Sequence, residues 1–299
     1  MHMRDVAIIG VASGWGARDS GCEDGPQALQ ASGILHCLNS AAQGIPSFDV
    51  LTVPDFPPDQ DILARVTEID QRLAMLVSAK LKQHALPVVV GGDHACAVGT
   101  WSGVRAALPS EEELGLIWID AHMDSHVPAT SPSGALHGMP LACLFGQGPE
   151  PLTALAGPAP KLCPQHVCLI GVRSFEGGER VLLERLGVRV FFMDEVRARG
   201  FDAVWREAVR HVSRGTAGYG VTVDLDAIDP GDAPGVGTPV REGIAGNDLI
   251  QAVRTLHDDP KLLALEIAEY NPHADRDRLT LKLLRRLICA AVAGKERDE

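Results

Sequence analysis

GLIWIDAHMDSH, residues 115–126, couples an apolar run to two aspartates and two histidines lying within seven residues. An apolar run that does not alternate with polar residues suits a strand buried on both faces, as in a parallel sheet. A cluster of acids and imidazoles directly after it suits the carboxyl end of such a strand, where ligands bind in open α/β sheets.

Seven more runs of the same kind recur along the chain: DVAIIG (5–10), FDVLTV (48–53), PVVVGG (87–92), VCLIGV (167–172), VRVFFM (188–193), YGVTVDLD (219–226) and LLALEIAE (262–269). With GLIWID (115–120) they make eight candidate strands. Between them, residues 61–84, 201–214 and 247–257 carry apolar positions at helical spacing and suit crossover helices. The pattern predicts one α/β domain over 1–299, a three-layer α/β/α sandwich around a mostly parallel eight-stranded sheet. The stretch 148–162 reads as a surface loop and about 294–299 as a polar tail.

The chain has 299 residues, with 39 Asp and Glu against 27 Lys and Arg, a formal net charge of −12. That sign disfavours nucleic acid and anionic membranes and favours a small cation or a divalent metal. The start, MHMRDVAIIG, lacks the architecture of a signal peptide, and no apolar run reaches the roughly 20 residues of a membrane span. Seven scattered cysteines without a CxxC pair suggest small buried hydrophobes in a reducing cytoplasm. Cys96 and Cys143, beside the motifs, read as packing residues.

Four strand ends carry the polar groups: GGDH (91–94), DAHMD (120–124), DLD (224–226) and the glutamate of IAEYNP (267–272). Asp120, Asp124, Asp224 and Asp226 in one pocket would repel unless cations balanced them, and two divalent ions would cancel −4. The i, i+2, i+4 spacing of Asp120, His122 and Asp124 suits an extended segment whose alternate side chains share a side. His94 adds a second imidazole. Oxygen-rich ligands with a minority of imidazole favour Mn²⁺ over Zn²⁺. Two such ions, roughly 3.5–4 Å apart, can hold a bridging water and lower its pKa to about 7.

GGDHA, WIDAHMDSH, SPSGALHGMPLA (131–142), VTVDLDAIDPGDAPGVGTPV (221–240) and EIAEYNP (266–272) resemble, in order, the signatures of the arginase/agmatinase (ureohydrolase) family. GARDSGCEDGPQAL (16–29) resembles the segment with which arginases begin. The resemblance implies two Mn²⁺ ions per subunit, held by His94, Asp120, His122, Asp124, Asp224 and Asp226. It implies that Asp124 orients the hydroxide, that His137 moves protons to the leaving amine, and that Glu269 pairs with the substrate guanidinium, with Thr238 beside it. Asp229 is implied as an orienting partner of the ligands. Ser131 and Ser133 match hydroxyls that bind an α-carboxylate, and Glu176 stands where an aspartate usually meets the α-amino group. His126 and Ala135 stand where arginases commonly carry asparagine, so His126 is a candidate substrate contact.

The implied reaction cleaves L-arginine to L-ornithine and urea. Its alternatives are an amidinohydrolase acting on guanidinobutyrate, guanidinopropionate or agmatine, and an inactive family member serving as subunit or sensor. A single-zinc deacetylase would leave His94 and Asp124 idle. A cytoplasmic homo-oligomer, trimer or hexamer, is the expected state by resemblance.

Overall fold

The computed structural model describes residues 5–39, 46–52, 54–57 and 59–294. Eight strands form one sheet: β1 (Val6–Ala12), β2 (Ser47–Thr52), β3 (Leu86–Val90), β4 (Leu114–Ile119), β5 (Val167–Val172), β6 (Arg189–Phe192), β7 (Gly218–Asp224) and β8 (Leu262–Ala268). Every expected run is a strand, with ends moved by no more than two residues. Residue 53, the end of the second run, lies outside the described residues. The order is β2-β1-β3-β8-β7-β4-β5-β6, and the sheet is parallel throughout rather than mostly so.

Alternate residues of the strands feed two apolar layers, which is why the runs are nearly continuous in hydrophobicity. Ile8, Val88, Ile117, Val221 and Leu265 face one layer, completed by the helices Phe201–Val212, Gly246–Arg254 and Leu279–Ala293. Ile9, Val89, Leu116, Trp118 and Leu169 face the other, completed by Ile69, Leu73 and Val77 of the helix Ile62–Lys82 and by Trp101 of Ala97–Ala107. The result is the expected three-layer arrangement. Among the described residues no helix is long and apolar enough to cross a membrane.

Two features differ from the reading of the sequence. The helix Leu279–Ala293 was not among the expected helices; it buries Leu281, Leu283, Leu284, Leu287 and Ile288 at helical spacing, with Lys282 exposed and Arg285 and Arg286 half-buried on its other side. Of the expected tail, residues 295–299 lie outside the described residues. The stretch 148–162 is not a simple surface loop, because Leu152, Leu155 and Leu162 are buried and Glu150–Thr153 is helical. Lys161 anchors it: its buried Nζ donates to the carbonyls of Thr153 (2.9 Å), Gly157 (2.6 Å) and Pro158 (3.0 Å). Lys161→Met strips three acceptors of their donor and is expected to cost about 2 kcal/mol. A lower urea midpoint at unchanged slope would report it; an unchanged midpoint would mean the carbonyls find other donors.

Candidate metal centre

Strands β3 and β4 are consecutive in the chain, yet β8 and β7 lie between them in the sheet. The order therefore reverses at the sheet's centre, where parallel α/β folds open a crevice at the strands' carboxyl ends. All four strand ends singled out by the sequence are those of the contiguous block β3-β8-β7-β4. His94 follows β3, Glu269 follows β8, Asp224 ends β7 with Asp226 just beyond, and Asp120, His122 and Asp124 follow β4.

Three of the four ends, those of β3, β4 and β7, are turned by local hydrogen bonding. Asp93 Oδ1 accepts from Ala95 N (2.9 Å), Asp120 Oδ1 from His122 N (2.7 Å) and Asp224 Oδ1 from Asp226 N (2.8 Å). The i, i+2 residues thus converge through side-chain-capped turns, not through the alternation of an extended segment. Gly92 lets the β3 loop pass the β1 loop, since a Cβ there would lie 1.8 Å from Ser13 O. Asp124 (φ 44°) and Glu269 (φ 67°) adopt left-handed backbone, a strained conformation that the surrounding structure must hold.

The six candidate ligands fall into two clusters. His94 Nδ1 lies 3.0 Å from Asp124 Oδ2, 3.1 Å from Asp224 Oδ2 and 3.4 Å from Asp120 Oδ2. His122 Nδ1 lies 3.1 Å from Asp226 Oδ2 and 3.5 Å from Asp120 Oδ1. Asp120 serves both, one oxygen to each. Trp118 stacks on His94 at 4.5 Å between centroids, and its indole N–H donates to Asp120 Oδ2 at 2.8 Å. Both sets have the spacing of groups that could hold a metal ion.

Burial opposes charge on His94 and His122, yet the surrounding aspartates raise both well above the usual imidazole range. Burial and then the Asp120 charge push Asp124 up to about 6, and burial, Asp226 and Asp120 raise Asp224 as well. Asp120 moves the other way: burial would raise it, but the two imidazoles hold it far below the carboxylate range. Asp124, Asp224 and both imidazoles are thus held toward their protonated forms, as crowded buried charges require. His94 Nδ1, fully buried, makes no hydrogen bond that satisfies it. An orphaned imidazole nitrogen facing three carboxylates fits a metal ion, as does the oxygen-rich donor set.

Glu269 lies on the crevice's β8 side. Its Oε1 accepts from His94 N (2.9 Å) and meets His137 Nδ1 at 3.0 Å, and its Oε2 accepts from the Cys22 thiol at 3.2 Å. Burial disfavours charge on both partners, but their contact raises His137 to about 9 and lowers Glu269.

The model of the arginase family matches residues 4–294. An arginase from Brevibacillus brevis is 37% identical over 297 residues, covering 98% of this chain and 99% of its own. The crystal structure of the Bacillus caldovelox arginase superposes with a TM-score of 0.91 at 34% identity, over 99% of this chain and all of that one. An arginase from Entamoeba histolytica, solved with L-ornithine, superposes at 0.88 and 29% identity, over 97% and 99%. The chain belongs to the arginase family. It is accordingly a ureohydrolase of a metal-dependent family, and its His/Asp clusters are where a metal could bind.

In this arginase-family chain the remaining candidates fall at varied places. His126 is buried and its Nε2 lies 3.0 Å from Glu176 and 3.4 Å from Glu179, while Nδ1 meets Thr130 Oγ1 at 3.1 Å. Glu176 itself is exposed, at the start of the helix Gly177–Leu186. Ser131 and Ser133 cap their own turn, accepting from Gly134 N and Ala135 N. Thr238 does not bond Glu269; its hydroxyl donates to Asp226 Oδ2 at 2.8 Å, and the adjacent Gly237 is the residue near Glu269. Asp229 touches none of the six: it accepts from the amides of Gly231, Glu242 and Gly243, which hold it below the usual carboxylate range and tie the 229–243 loop together. Cys96 and Cys143 are buried, and burial raises both thiols, as packing residues require.

Reading the sequence missed Cys22, Glu179, Thr222 and Glu266. The last left one trace, a lone acid inside the apolar run LLALEIAE.

Proposed function

We propose that this chain hydrolyses L-arginine to L-ornithine and urea with two Mn²⁺ ions. The reading rests above all on the orphaned His94 Nδ1 set against three carboxylates, beside a second cluster that shares Asp120. His94, Asp120, Asp124 and Asp224 would hold one ion; His122 and Asp226, again with Asp120, would hold the other. Such ions supply Lewis acidity, lowering the pKa of water from 15.7 to about 7 and so making a nucleophile available at neutral pH.

The chain's own groups do the rest. Glu269 binds the guanidinium, for which a carboxylate offers parallel charge-assisted bonds. Asp124 orients the attacking water. His137, with a pKa of about 9, is protonated at neutral pH and delivers a proton to the leaving amine. Ser131, Ser133, His126 and Glu176 face the substrate's amino-acid end. The relatives named as arginases, one of them solved with L-ornithine, support the choice of substrate.

One observation favours the amidinohydrolase alternative: Glu176 is already paired with His126, and Ala135 offers no side-chain donor to a carboxylate. The same reading carries a cytoplasmic location and a trimeric or hexameric assembly, to be checked by fractionation and light scattering.

Urea release is the direct test. EDTA-treated protein is expected to make no urea from arginine, and Mn²⁺ to restore it, with agmatine and guanidinobutyrate turned over far more slowly. No urea from any guanidino compound in the Mn²⁺-loaded protein would contradict the proposal; equal turnover of all three would transfer it to the broader amidinohydrolase class.

A further inference from the structure

Behind the ligands, three sheet residues stand in register in one row. Trp118 of β4 pairs with Thr222 of β7, and Thr222 pairs with Glu266 of β8. All three are fully buried, and residues on either side of Thr222 and Glu266, such as Val221 and Ile267, face the opposite layer. His94 rests on this row, its ring stacked on Trp118 and its Nε2 3.0 Å from Thr222 Oγ1. Thr222 in turn donates to Glu266 Oε1 at 2.7 Å, and Glu266 Oε2 takes the weak contact of the Cys96 thiol at 3.8 Å.

The direction of this chain of bonds follows from its end. Thr222 has one hydroxyl proton, and the short contact to a carboxylate oxygen claims it. Its oxygen can then only accept from His94, so Nε2 is the donor to Thr222 and Nδ1 is the ring nitrogen turned toward Asp120, Asp124 and Asp224, where a metal ion would take the place of any proton it carries. A ligand imidazole is commonly fixed in this way by the partner of its other nitrogen.

We infer that Thr222 and Glu266 are positioning residues: a buried relay that sets the tautomer and the ring angle of His94 and thereby the metal affinity of the His94 cluster alone. The inference rests on the proposed metal pair. His122 lies outside the relay, so its cluster supplies an internal control. In Thr222→Val the shape is kept and the hydroxyl lost; His94 Nε2 and Glu266 Oε1 then face each other at 3.9 Å, beyond hydrogen-bond range.

The test is a Mn²⁺ titration of the metal-free full chain by equilibrium dialysis, with thermal melting of the metal-free form alongside. Wild type is expected to take two ions. Thr222→Val is expected to weaken one of them ~10- to 100-fold and leave the other unchanged, Glu266→Gln to act in the same direction, and Thr222→Ser to restore affinity. Wild-type affinity in both Thr222→Val and Glu266→Gln would overturn the inference, as would a Thr222→Ser variant as weak as Thr222→Val, since packing rather than the hydroxyl would then matter. Equal weakening of both ions would overturn it too. A wild-type protein that binds no Mn²⁺ would instead remove the metal-pair reading beneath it.

Discussion

Asp120→Asn is expected to lower kcat/KM by at least ~10³-fold and to abolish binding of both ions. Asp120 is the carboxylate common to both clusters, with Oδ2 toward His94 and Oδ1 toward His122. A metal pair contributes several kcal/mol to stabilising the transition state, and ~4 kcal/mol corresponds to about a thousandfold in rate. The amide keeps the shape and the turn bond to His122 N, so circular dichroism should stay that of the wild type. By contrast, Thr238→Ala touches only Asp226 and should cost far less. Near-normal activity with two ions bound would show that the clusters are not coupled through Asp120.

The second large effect concerns stability. In the metal-free protein Asp124 and Asp224 keep protons that the unfolded chain releases above its ordinary carboxylate pKa, and His94 and His122 keep theirs above the ordinary imidazole pKa. The folded form thus binds more protons than the unfolded one, and its stability falls as pH rises, from about 4 to 6 through Asp124 and further through the others. Asp120, held low, acts oppositely, but its contribution is lost only in strong acid.

Metal ions displace those protons, so their affinity rises with pH. At pH 8 and a thousandfold excess over Kd, each Mn²⁺ should add ~4 kcal/mol, an increase in Tm of roughly 8–16 °C per ion at ~2–4 °C per kcal/mol. The increment should shrink toward pH 5. A Tm indifferent to Mn²⁺ at every pH would mean that the buried carboxylates are balanced by something other than metal.

The strands were legible because burial on both faces leaves an unbroken apolar run, and the six candidate ligands because each stands at a strand's end rather than within it. What the sequence could not display is adjacency. Thr222 and Glu266 become neighbours only through the pairing of β7 with β8, and Cys22 reaches Glu269 across 247 positions. His126 likewise meets Glu176 and Glu179 only once β4 and β5 lie side by side. Local turns rather than strand alternation bring Asp120 and His122 together, so their i, i+2 spacing identifies the pair but not the geometry that joins it. Leu279–Ala293 carries a legible period, with Lys282, Arg285 and Arg286 opposite Leu283, Leu284, Leu287 and Ile288, but it follows the last strand and so is no crossover between two apolar runs.

Anomalous diffraction at the manganese edge, from crystals of the Mn²⁺-loaded protein, tests the central claim most directly. Two peaks are predicted, roughly 3.5–4 Å apart, one beside His94 Nδ1, Asp124 and Asp224, the other beside His122 and Asp226, with Asp120 reaching both. No peak at either cluster, or a single one shared by all six residues, would contradict the account.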